Sequence, residues 1–150
     1  MRLLDICTHS VATCDRGMSA PELARLMRER HVGDVVVVDP CEDGFTPVGI
    51  VTDRDLVVQL IARGADPERF CAEDLMSADV VTAIGSETVF DAIWHMRRRG
   101  VRRLPIVDAH NRLQGIVCLD DLTDALGQEL SALARIAPRQ ADREQVRLEV

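Results

Sequence analysis

The chain has 150 residues, with 18 Lys+Arg against 25 Asp+Glu, and a net charge of −7 at neutral pH. Hydrophobic residues at 47% and charged residues at 29% are ordinary globular values, which exclude a globally disordered, collagen-like or coiled-coil chain. Three Phe, one Trp and no Tyr demand an aliphatic core and leave too few aromatic faces for a surface that stacks single-stranded nucleic acid.

The length fits one compact domain or two small units sharing a core. No stretch approaches the roughly 18 apolar residues needed to span a bilayer, and Asp5 comes too early for a signal peptide. The cysteines Cys7, Cys14, Cys41, Cys71 and Cys118 are odd in number and scattered, which suits free thiols in a reducing compartment. The expectation is an acidic, soluble, cytoplasmic protein with no membrane partner.

In chain order, a short extended segment at 10–13 leads to a helix-start signal, Ser19-Ala-Pro-Glu22. A hydroxyl residue followed three later by a carboxylate satisfies the free donors of a first turn, where proline is tolerated. Leu23, Leu26 and Met27 then recur at helical spacing. Two strands are expected, Val35–Val38 and Val48–Val51, joined by a turn-rich segment from Asp39 to Thr46. The unbroken valine run at 35–38 predicts a central strand covered on both faces. A helix from Asp53 to about Arg63, stopped near Gly64, closes the unit.

The same order then repeats. At an offset of 69, Val11, Thr13, Met27, Arg28, Arg30, Val32, Val38 and Asp39 fall on Val80, Thr82, Met96, Arg97, Arg99, Val101, Val107 and Asp108. Beyond Asp39 the offset is 66, and Gly49-Ile50-Val51, Asp55 and Leu56 fall on Gly115-Ile116-Val117, Asp121 and Leu122. The three extra residues of the first copy therefore belong to a hairpin loop, where insertion is tolerated. The second copy has its own signal at Thr88 and Asp91, a left-handed helix stop at Gly100, strands Leu104–Val107 and Leu113–Val117, and a helix from Asp120 to Leu126. Each copy reads β-α-β-β-α and is too small to bury its apolar faces alone, so the two should pack together.

The doubled order, with Gly49-Ile-Val-Thr52-Asp-Arg-Asp55-Leu and Gly100-Val-Arg-Arg-Leu-Pro-Ile-Val-Asp108, resembles a tandem pair of CBS domains, modules named after cystathionine β-synthase. The resemblance implies an α+β fold of two repeats about a pseudo-twofold axis, with clefts for an adenosine-type ligand: AMP, ADP, ATP, S-adenosylmethionine or a dinucleotide. It implies no required cofactor, and commonly a homodimer. The expected boundaries are 3–64 and 75–127 for the repeats, 65–74 for a linker, and 128–150 for a C-terminal helix and charged tail.

Thr52 ends a strand and begins a helix, so its hydroxyl and the backbone donors after it suit a phosphate. Arg54 lies in the same motif, and the Asp55 carboxylate can accept from both ribose hydroxyls. Thr-x-x-Asp is equally a capping box that merely closes the helix. By the family pattern, Ala12, Thr13, Val32 and Val35 are the first-copy candidates for the base, each also suited to core packing. The second-copy candidates are Val81, Thr82, Val101, Arg102, Arg103, Pro105, Asp120 and Asp121. There Cys118 replaces the expected Thr or Ser, and a thiol is a weak hydrogen-bonding group. Two adjacent carboxylates also repel phosphate, so the second cleft should bind a nucleotide more weakly, a ligand with less phosphate, or nothing.

Arg97, Arg98 and Arg99 with Arg102 and Arg103 form a basic cluster that suits a helix C-terminus or phosphate contact better than duplex binding against the acidic total. Cys7, His9 and Cys14 do not match a zinc spacing, and no catalytic constellation is visible. The leading expectation is a non-catalytic sensor that passes its ligand state to an unidentified effector protein. A ligand-independent dimerising scaffold is the alternative, and a thiol redox sensor a third. Leu130, Leu133 and Ile136 have helical spacing that can extend the last helix, and Leu148 and Val150 could dock on a second subunit.

Overall fold

Val35, Val36, Val37 and Val38 are buried because the strand that carries them is central in its sheet and covered on both faces. The computed structural model describes residues 1–136, 139, 140 and 143, so Leu148 and Val150 lie outside the described residues. The first copy contains β1 (Thr13–Cys14), α2 (Ala20–Arg30), β2 (Asp34–Cys41), β3 (Gly44–Thr52) and α3 (Asp53–Leu56), which continues as a π-helical turn over Val57–Ile61. The second contains β4 (Ala83–Ile84), α5 (Val89–Arg99), β5 (Arg103–Val107), β6 (Leu113–Cys118) and α6 (Leu119–Ala134). Two short helices, α1 (Leu3–Ile6) and α4 (Ala72–Leu75), precede the copies. No helix among the described residues is long and apolar enough to cross a membrane.

Each copy builds a three-stranded sheet, β1-β2-β3 and β4-β5-β6, with the first pair parallel and the second antiparallel. The expected hairpin loop from Asp39 to Thr46 is tighter than the turn residues suggested, since β2 runs to Cys41 and β3 begins at Gly44. Both expected capping boxes form, Ser19 with Glu22 and Thr88 with Asp91. Gly100 closes α5 at φ 66°, and its counterpart His31 takes the same left-handed conformation at φ 53°. Gly127 does not interrupt α6, whose residues from 127 to 134 extend the helix and are exposed.

The copies exchange their leading helices. Leu3 and Cys7 are buried in the second core with Ala83, Met96, Leu104 and Leu122, whereas Ala72 and Leu75 join the first core with Leu23, Val35 and Val51. Residues 65–74, expected as a linker, thus include a 3₁₀ turn at Pro67–Arg69 and the buried start of α4. The backbone fastens the exchange, for Ser77 N–H donates to the Ile50 carbonyl at 3.0 Å and Thr8 N–H to that of Ile116 at 2.9 Å. These close crossings need Gly49 and Gly115. A Cβ on Gly49 would overlap the Met76 side chain, and one on Gly115 would meet Cys7 Sγ at 2.5 Å. The motif glycine is therefore a packing requirement, with side-chain overlap as the penalty for replacing it.

Candidate functional site

The exchange decides which residues share a cleft. A cavity of about 450 Å³ is lined by Thr52, Asp53, Arg54 and Asp55 from the first copy and by Val80, Val81, Val101, Arg102 and Arg103 from the second. Ile50, Ser77, Asp79 and Gly100 complete it. Its size falls within the range of small-molecule sites, about 300–1,000 Å³. Ile50, Val80, Val81 and Val101 supply an apolar wall, and the charged lining consists of three arginines and three aspartates.

The capping box is closed here. Asp55 Oδ2 accepts from Thr52 N–H at 2.8 Å and from Thr52 Oγ1 at 2.7 Å, while Asp55 N–H donates back to Thr52 Oγ1 at 3.2 Å. The next donors are also taken, Asp53 N–H by the Gly33 carbonyl at 3.0 Å and Arg54 N–H by Asp53 Oδ1 at 2.8 Å. The helix start therefore does not present the free donors anticipated for a phosphate, because the motif satisfies its own first turn. Open groups remain beside it. Among the described residues, Asp55 Oδ1 has no donor, and the guanidinium groups of Arg54 and Arg102 have no carboxylate partner. Arg103 is committed across the copies, its Nε donating to Asp34 Oδ1 at 2.6 Å, and Asp79 meets Arg99 at 3.4 Å.

Of the candidates named from sequence, the cavity gathers Thr52, Arg54, Asp55, Val81, Val101, Arg102 and Arg103. Ala12, Thr13, Val32 and Val35 do not line this cavity, although Val35 pairs with Val51 on the neighbouring strand. Val35 and Pro105 are fully buried in the sheet centres, so packing occupies their side chains. Thr82, Asp120 and Asp121 also lie outside this cavity. Sequence reasoning missed Ile50, Asp53, Ser77, Asp79, Val80 and Gly100. Their signal was present in the sequence, since Ile50 and Gly100 belong to the two quoted motifs and Asp53 and Val80 adjoin the candidates Thr52 and Val81.

The repeat offsets place Asp120, Gly33 and Asp34 at the second-copy or first-copy equivalents of Arg54, Arg102 and Arg103. Every arginine of the first cleft is thus replaced by an aspartate or glycine at the matching position. Cys118 N–H donates to Asp121 Oδ2 at 2.7 Å, and burial together with a bond to the Asp121 carboxylate pushes the Cys118 thiol up. Burial likewise raises Cys7 and pushes Cys14 up to about 12. Such thiols are poor nucleophiles at neutral pH. Among the described residues, no group of three or more His, Cys, Asp or Glu side chains is placed to hold a metal ion.

Comparison with known proteins agrees with this architecture. The CBS domain model matches residues 3–62 and 72–128. CBS domain-containing protein YhcV of Bacillus subtilis is 38% identical over 118 residues, covering 79% of this chain and 80% of YhcV. An uncharacterized protein of Methanopyrus kandleri is 37% identical over 118 residues, and the match spans 59% of its length. Among solved structures, the CBS domain pair of protein MJ0100, in complex with 5′-methylthioadenosine and S-adenosyl-L-methionine, superposes with a TM-score of 0.74 at 26% identity. That superposition covers 86% of this chain and 98% of the other. Two matched repeats, the shared fold and the inter-repeat cavity place this chain in the CBS domain family, as a tandem pair of CBS repeats.

Proposed function

We propose that the chain is a non-catalytic regulatory module that binds an adenosine-containing ligand in the cleft between its two repeats. The observation that carries this reading is the Asp55 carboxylate oxygen that has no donor among the described residues, set in one cavity with the Arg54 and Arg102 guanidinium groups, which have no carboxylate partner among them, and an apolar wall. The carboxylate suits ribose hydroxyls, the arginines suit phosphate, and Ile50, Val80, Val81 and Val101 suit the flat base. The adenosine compounds bound by the MJ0100 pair support the ligand class. Because the cleft draws on both repeats, a ligand that bridges them favours one relative arrangement, and an effector protein can read that shift.

Calorimetric titration with AMP, ADP, ATP, S-adenosylmethionine and NAD tests the proposal, since Trp94 is not among the cavity residues and gives no direct optical signal. Micromolar binding, about −8 kcal/mol, is expected for at least one compound. If all five leave the heat and the melting temperature unchanged, the ligand-independent scaffold replaces this reading.

A further inference from the structure

A phosphate at a helix start is held by free backbone donors, and at the Thr52 junction the chain uses all of its own. Thr52 N–H donates to Asp55 Oδ2, Asp53 N–H to the Gly33 carbonyl, Arg54 N–H to Asp53 Oδ1 and Asp55 N–H to Thr52 Oγ1. The exposed Asp53 carboxylate, 2.8 Å from the Arg54 nitrogen and part of the cavity lining, thus stands where an incoming anion would bind. Recognition of phosphate is left to the Arg54 and Arg102 guanidinium groups. The lining is also electrically balanced, since its three arginines are matched in number by Asp53, Asp55 and Asp79. Asp34 on Arg103 and Arg99 on Asp79 keep the total at zero.

Two of these carboxylates are peculiar to this cleft. At the repeat offsets Asp53 corresponds to Leu119 and Asp79 to Ser10. Helix α6 starts at Leu119 behind a capping box of Cys118 and Asp121, so closing such a helix does not require an acid at the Asp53 position. We propose that Asp53 is a specificity-determining residue that limits the anionic charge of the ligand, with Asp79 adding to its effect. An adenosine monophosphate, carrying roughly two negative charges, is matched by Arg54 and Arg102. Each further phosphoryl group adds charge with no uncommitted arginine in the lining to meet it, and the Asp53 carboxylate repels it. The inference rests on the adenosine reading of the cleft and deepens it, by ranking the adenosine compounds by charge.

Calorimetry of the full chain with adenosine, AMP, ADP and ATP in the presence of EDTA tests the ranking. ATP is expected to bind at least about tenfold more weakly than AMP, with ADP between them. Asp53→Asn keeps a carbonyl oxygen to accept from Arg54 N–H and removes only the charge. It should narrow the gap between AMP and ATP severalfold and leave adenosine unchanged. Asp53→Leu, which copies the second repeat, should narrow the gap in the same direction, and melting temperatures confirm that both variants fold. Wild-type protein that binds ATP as tightly as AMP, or a gap that neither variant narrows, would overturn the charge limit while leaving the adenosine reading in place. Silence from all four compounds, uncharged adenosine included, sinks both. ATP with Mg²⁺ supplies a further arm, because carboxylates and phosphates together can hold that ion. Mg²⁺ should help ATP at least as much in Asp53→Asn as in the wild type. A gain that disappears in Asp53→Asn would make Asp53 a metal ligand and reject its repulsive role.

Discussion

Asp34 and Arg103 occupy equivalent positions 69 residues apart in the two repeats, and they bond to each other, Arg103 Nε donating to Asp34 Oδ1 at 2.6 Å. The ion pair joins the repeats across their pseudo-twofold relation, with side chains 32% and 19% exposed. Arg103 also lines the inter-repeat cavity. An anion entering that cavity therefore competes with Asp34 for one guanidinium.

Opposite effects on nucleotide affinity follow for the two partners. Arg103→Ala should weaken AMP binding, whereas Asp34→Asn, by releasing Arg103, should tighten it. Each single change should also cost about 1–3 kcal/mol of stability, because it leaves a partly buried charge unpaired. Calorimetry and urea denaturation check both arms, and equal weakening by the two variants would mean that Asp34 itself touches the ligand.

Thr52 and Asp55 separate capping from binding. Thr52→Ala removes a cap worth about 1 kcal/mol and should lower the melting temperature. Asp55→Asn keeps an acceptor for the Thr52 N–H, which lies at 2.8 Å from the carboxylate, yet removes the charge proposed to bind the ribose. It should leave the melting temperature nearly unchanged while weakening adenosine ligands about 10–100-fold. Equal loss of binding in both variants would assign the motif to helix closure alone.

The charge difference between the clefts sets stoichiometry. With Asp120, Gly33 and Asp34 standing where the first cleft has arginines, an anionic nucleotide should titrate to one equivalent per chain. Two equivalents of equal affinity for ATP would contradict this asymmetry.

The buried thiols Cys7 and Cys14 should be unreactive in the folded state. With Cys14 pushed up to about 12 by burial, only about one part in 10⁵ is thiolate at pH 7. Mass spectrometry after alkylation of the native protein should find the partly exposed Cys41 and Cys71 modified before the buried Cys7 and Cys14. Early modification of Cys14 would revive a redox role.

Acid should weaken the fold over a definite window. Arg16 bonds both oxygens of Asp39 at 2.8 Å and holds its carboxyl below the usual 3.8. Asp91 and Asp108 are lowered likewise, by bonds from Thr88 and from the Arg112 backbone. A depressed folded-state pKa contributes stability that is complete well above the unfolded value and is lost as pH falls through the folded one. Urea midpoints should therefore hold above about pH 5 and decline below about pH 4. Asp39→Asn should make that decline shallower, and an identical acid profile for the variant would remove the Arg16 pair as a contributor.

The repeat, the central valine strand, both capping boxes and the positions of Thr52 and Asp55 at a strand-to-helix junction were legible in the residues alone. Each depends on neighbours within a few positions, through spacing, turn chemistry and first-turn donors. The partners of Thr52 and Asp55 were not, because α1 and α4 trade places between the copies and bring Val81, Val101 and Arg102 against the first-copy motif. That exchange rests on packing around Gly49 and Gly115 and on backbone bonds such as Ser77 to Ile50. Composition and periodicity carry no record of which equivalent surface a short helix covers, since either repeat presents the same apolar face. Only the tertiary structure decided between them, and with it the charge of the cleft.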